Sequence, residues 1–106
     1  MNKVEMKRIL VNKFQEECRS FRSRDIKIDG NTIIIKDYEH IRFEIEWETD
    51  DYLGRICYIY ESYRCSDGEW STYRDCVAFE DSKVKSDDEI LKLALRDLGY
   101  HIAQTF

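Results

Sequence analysis

Ile41-Arg42-Phe43-Glu44-Ile45-Glu46-Trp47-Glu48 is the stretch on which the fold turns. Apolar Ile41, Phe43, Ile45 and Trp47 alternate with charged Arg42, Glu44, Glu46 and Glu48. A strand sends successive side chains to opposite faces, so the pattern describes a strand with one face in a core and one in water. The chain therefore calls for a sheet that is covered on at least one side.

Working outward, the neighbours of this strand are strands too. Upstream, Asp29-Gly30-Asn31 separates the β-branched runs Ile26–Ile28 and Thr32–Ile35, a hairpin signal because these residues accept the backbone of a tight turn. Residues 37–40 form a second turn and residues 49–54 a third. Arg55 to Cys65 reads as a long strand rich in Ile and Tyr, and Trp70 to Phe79 as its return. With Asp67-Gly68 as a two-residue turn, Cys65 pairs with Trp70, Glu61 with Arg74, Ile59 with Cys76 and Tyr58 with Val77. Glu61 opposite Arg74 then makes a cross-strand ion pair.

Helices are expected at both ends. From Lys3 to about Arg19, Val4, Leu10 or Val11, Phe14, Cys18 and Phe21 recur at helical spacing. Ser86-Asp87-Asp88-Glu89 reads as a capping box, followed by the stripe Ile90, Leu91, Ala94, Leu95, Leu98 and a stop at Gly99. Tyr100–Phe106 reads as a short tail that adds a strand or packs loosely. Consecutive strands joined by short turns make an antiparallel sheet. The expectation is a single α+β domain over residues 1–106: four to five strands flanked by an N-terminal and a C-terminal helix, α-β-β-β-β-β-α, both helices on one face.

Composition narrows the function classes. The 106 residues are 42% hydrophobic and 13% aromatic, enough for a core despite 37% charge. No apolar run approaches the length of a membrane span and no secretory leader is visible, so a soluble, cytoplasmic protein is expected. Cys18, Cys57, Cys65 and Cys76 form no Cys-x-x-Cys pair and are read as buried thiols rather than disulfides or zinc ligands. His40 and His101, the only histidines, stand in a turn and in the tail, without a nucleophile context. No phosphate-cradling glycine loop or calcium loop is present. The reading is a protein that is not an enzyme and needs no cofactor or metal.

The net charge of −5 divides unevenly: residues 1–24 carry +4 and residues 25–106 carry −9. Such a body repels nucleic acid and suits basic protein surfaces. The acids concentrate in Asp37, Glu39, Glu44, Glu46, Glu48, Asp50 and Asp51, against Arg42 alone among Lys and Arg in that stretch. Alternate residues of a strand lie about 6.6 Å apart. Phosphates along a nucleic-acid strand are spaced by about 7 Å, so the row has the spacing of a decoy. The competing reading is a wet strand face that carries charge only for solubility. Tyr58, Tyr60, Tyr63, Trp70 and Tyr73 add aromatic groups of the kind that anchor interfaces.

On its length, acidity, element order and the run Glu44-Ile45-Glu46-Trp47-Glu48-Thr49-Asp50-Asp51, the chain resembles the small acidic inhibitors encoded by bacterial viruses, of the anti-CRISPR type. The resemblance is one of class, with no shared motif. It implies a non-enzymatic inhibitor, a DNA mimic acting in the host cytoplasm, whose partner is a basic nucleic-acid-binding protein such as a CRISPR effector nuclease. The expected partner-binding residues are Glu39, Glu44, Glu46, Glu48, Asp50, Asp51, Tyr60, Trp70 and Tyr73. The alternative is an interaction or adaptor module that uses the aromatic hairpin face, as a monomer or a homodimer.

Overall fold

Asn2 starts the first helix. Its side-chain oxygen accepts the Glu5 amide at 2.9 Å, and α1 runs Lys3–Glu16. In the computed structural model, residues 1–80 and 86–106 are described, 72–74 and 76–80 of them by their backbone alone. The buried stripe of α1 is Met6, Leu10 and Phe14, whereas Val4 is 75% exposed. The helix also ends earlier than its apolar spacing suggests. Arg19 N–H donates to the Phe14 carbonyl (2.8 Å) and Cys18 N–H to that of Gln15 (3.1 Å), with Cys18 at φ +57°. This is a Schellman stop with a cysteine in the left-handed position usually held by glycine. Cys18 is therefore exposed, not part of the stripe.

A single 3₁₀ turn (Ser23–Asp25) leads into five strands: β1 (Ile26–Asp29), β2 (Thr32–Ile35), β3 (Ile41–Asp50), β4 (Gly54–Arg64) and β5 (Trp70–Glu80). They form an antiparallel sheet in the order β1-β2-β3-β4-β5, as the short connections required. Gly30 turns the first hairpin at φ +61°. Asn31 then ties that hairpin to β3: its carbonyl accepts the Ile45 amide (2.8 Å) and its side-chain amide donates to the Ile45 carbonyl (2.9 Å).

The β4–β5 register differs from the one expected. Gly68 N–H donates to the Cys65 carbonyl and Cys65 N–H to that of Glu69, so the loop is Ser66-Asp67-Gly68, with Gly68 at φ +88°. A three-residue loop of this kind sets Arg64, not Cys65, opposite Trp70. Shifts between Glu61 and Ser62 and between Ile59 and Tyr60 then slide the ladder, so Ile59 meets Val77 and Tyr58 meets Ala78. Glu61 does lie opposite Arg74, because the expected and observed registers cross there. The Arg74 side chain lies outside the described residues, as do those of Tyr73 and Cys76.

Ser86 caps α2 by accepting the Glu89 amide at 3.2 Å, and the helix runs Asp87–Thr105. It passes straight through Gly99, contrary to the expected stop. A Cβ at Gly99 would sit 2.9 Å from the Lys13 Cβ of α1, so the missing side chain lets the helices approach. In place of the expected tail stand the last turns of α2, with Ile102 and Ala103 buried. The helices run in the same direction: Met1 N lies 3.0 Å from Asp88, and Arg19 Nε donates to the Ala103 carbonyl at 2.6 Å. Both cover one face of the sheet. Met6, Leu10, Phe14, Ile90, Leu95, Leu98 and Ile102 meet Ile28, Ile33, Phe43, Ile45, Cys57 and Ile59 in the core. Arg55 clamps the start of α2 through two bonds to Asp87 (both 3.1 Å) while lying over the Trp47 ring. Among the described residues no helix is long and apolar enough to cross a membrane.

Candidate protein-binding face

With Ile41, Phe43, Ile45 and Trp47 turned to the helices, the alternation of β3 sends Arg42, Glu44, Glu46 and Glu48 to the other face. Cross-strand pairing completes that face. Ser62 stands opposite Arg42, Tyr60 opposite Glu44, Tyr58 opposite Glu46 and Ile56 opposite Glu48. Exposed Asp75 pairs with Tyr60 from the far side. Among the described residues no helix lies over this face.

The acids are not equivalent. Glu44 is half-buried and accepts Arg42 Nε at 2.7 Å, so the only basic residue in the row neutralises it. The Arg42 guanidinium also lies 4.1 Å from the centroid of the Trp70 ring, which places Trp70 beneath a cation. Glu46 and Glu48 are exposed, and among the described residues neither forms an ion pair. Asp50 belongs to the β3–β4 turn: its Oδ1 accepts the Leu53 and Tyr52 amides at 2.9 and 2.8 Å, and these hold its carboxyl below the ordinary range. Asp51 is exposed at the same tip, beside Tyr52 at 91% and Leu53 at 44% exposure. Glu39 is elsewhere. It lies in the β2–β3 turn, the length of β3 (about 30 Å) from Asp50. Backbone hydrogen bonds from Asp37 and from Glu39 itself lower its pKa. Of the expected contact residues, Glu44, Glu46, Glu48, Tyr60 and Trp70 share one face, Asp50 and Asp51 lie at its end, and Glu39 stands apart.

Tyr58 and Tyr60 stack with centroids 5.8 Å apart. Burial first, and then the carboxylates of Asp75, Glu46 and Glu48, push the Tyr60 phenol upward. The three carboxylates thus add to a shift that burial begins. A notch of about 160 Å³ opens here, lined by Glu44, Glu46, Tyr60 and Ser62.

No family model matches the chain, and neither a curated protein nor a solved structure matches it.

The helix-facing side holds a feature that sequence reasoning missed. Glu61, only 5% exposed, lies 3.3 Å from His101 Nε2 of α2. A cavity of about 270 Å³ beside it is lined by His40, Ile41, Glu61 and Tyr63. The pair satisfies polar atoms inside an apolar layer, and it forms only because α2 continues past Gly99. Among the described residues no three His, Cys, Asp or Glu side chains are grouped to hold a metal ion.

Proposed function

We infer that the chain is a non-enzymatic binding protein that docks the acidic face of its sheet, the one turned away from the two helices, on a basic, nucleic-acid-binding surface of another protein. One observation carries this reading: Glu46 and Glu48 project from that face without a compensating cation among the described residues, beside Tyr58 and Tyr60. Like charges at neighbouring positions repel, and a cationic partner relieves that repulsion. At its finer level the reading makes the protein an inhibitor that competes with nucleic acid, with a CRISPR effector nuclease as the partner and the host cytoplasm as the place of action. What supports that level is the spacing of the carboxylates and the class resemblance of the sequence.

The test is capture from host lysate by tagged wild type and by Glu46→Lys/Glu48→Lys, at low and high salt. Wild type should retain a basic nucleic-acid-binding protein at low salt and release it at high salt, and the variant should retain none. Equal capture by both overturns the reading. A second reading draws on the exposed Tyr52 and Leu53 of the β3–β4 tip, which suit an apolar anchor. It expects capture that survives high salt and fails in Tyr52→Ser/Leu53→Ser.

A further inference from the structure

We propose that the notch between β3 and β4 is a receptor for one arginine side chain of the partner. This rests on the acidic-face reading and names what that face holds. The lining gives the chemistry. Glu44 and Glu46 supply carboxylates, Tyr60 supplies a ring wall already stacked on Tyr58, and Ser62 stands among them. At about 160 Å³ the space is too small for a drug-sized ligand, whose pockets start near roughly 300 Å³, and it suits a single head group.

Ser62 adds a polar group at the floor of the notch. It is 3% exposed and lines the space with Glu44, Glu46 and Tyr60. Its hydroxyl oxygen is an acceptor that a donor entering the notch can meet.

The same face shows how it treats a guanidinium. On the same side of β3, Arg42 joins its Nε to Glu44 at 2.7 Å and lays its guanidinium 4.1 Å from the Trp70 centroid. Carboxylate plus aromatic ring is repeated in the notch by Glu46 and Tyr60, with no resident cation among the described residues. Glu44 already accepts Arg42, so Glu46 is the carboxylate that takes the incoming charge. Arginine fits better than lysine. Its planar fork offers five donors, enough for Glu46 and Ser62 together, and its flat face stacks on a ring.

The probe is N-acetyl-arginine amide, titrated into the full chain and followed through backbone amide resonances. Its lysine and citrulline counterparts run in parallel, and citrulline keeps the shape without the charge. Arginine should move the Tyr60, Ser62 and Glu46 signals saturably and more strongly than lysine, while citrulline leaves them in place. Ser62→Ala should weaken arginine binding about five-fold, the worth of one hydrogen bond, and narrow the preference over lysine. Tyr60→Leu should weaken arginine binding comparably, and thermal melts of both variants confirm that they fold. Equal shifts for arginine and lysine spread over Glu46, Glu48 and Asp51, with Ser62→Ala without effect, overturn the notch and leave the acidic face standing. Absence of any outer-face shift with either cation overturns both.

Discussion

Cys57 and Cys18 show how far a single residue type can be read. Cysteine content predicts a buried thiol at both. Cys57 is buried, because the alternation of β4 turns it to the core. Cys18 is exposed, because the turn that ends α1 needs a left-handed residue at that step, and nothing in the residue type announces it. The consequence for Cys57 is chemical. Burial pushes its thiol up to about 11 from 9.0, against a downward pull from Arg55 and with a further rise from Asp87. Below pH 9 the thiol is protonated in folded and unfolded chains alike and adds no pH dependence. Between pH 9 and 11 the unfolded chain releases the proton and the folded chain keeps it, so stability falls as pH rises. The loss across that window is on the order of 2 kcal/mol. Urea melts at pH 8, 9.5 and 10.5 on wild type and Cys57→Ala should show the steeper decline in wild type, although the variant starts lower from its cavity. Parallel declines would refute it. At neutral pH a thiol reagent should label Cys18 in the folded chain and spare Cys57.

Gly99 decides the second helix. Glycine after an apolar stripe signals a stop, yet the spacing of Ile90, Ala94, Leu95 and Leu98 continues to Ile102, and that continuation is the better guide. The reason for a glycine here lies in another element. α1 brings the Lys13 Cβ to 2.9 Å and its Cγ to 3.0 Å from where a Gly99 side chain would begin, and a contact so short is a property of packing that local sequence does not encode. Gly99→Ala sets two effects against each other. Helix propensity favours alanine by about 1 kcal/mol. Overpacking costs about 1–3 kcal/mol, because the Lys13 Cβ is fixed to its backbone and the helices must separate. The second effect should win, giving a net loss of about 1 kcal/mol as a lower urea midpoint. A gain would show that the α1–α2 spacing has slack. The strands are more legible than the helix ends. Alternation places β3 and the short turns order all five, while the β4–β5 ladder slips because turn length and two register shifts, not hydrophobic pattern, set its pairing. The same limit hides the Glu61–His101 pair, which joins residues 40 positions apart across two elements.

At the scale of the molecule, the uneven charge seen along the chain becomes an arrangement in space. Of the basic residues among the first 24, Lys3, Lys7, Arg8 and Lys13 lie on α1, with Lys3 and Arg8 exposed, while Glu46 and Glu48 lie on the sheet face turned away from the helices. A protein so polarised can be recognised in two ways, by its net charge of −5 or by where the charge sits. The variant Lys3→Glu/Arg8→Glu/Glu46→Lys/Glu48→Lys separates them, since it keeps the net charge while moving acid to the helical layer and base to the sheet face. All four side chains are surface groups, so the fold should persist with changes within about 0.5 kcal/mol each. If that sheet face is the docking surface, this variant should lose capture of the basic partner as fully as Glu46→Lys/Glu48→Lys alone. Lys3→Glu/Arg8→Glu should retain it, or associate faster at low salt through a more negative field. Association and dissociation rates against the captured partner, measured at two ionic strengths, distinguish the cases. Retained capture by the four-fold variant would mean that net charge governs recognition, and the placement of Glu46 and Glu48 on the sheet would then have no part in it.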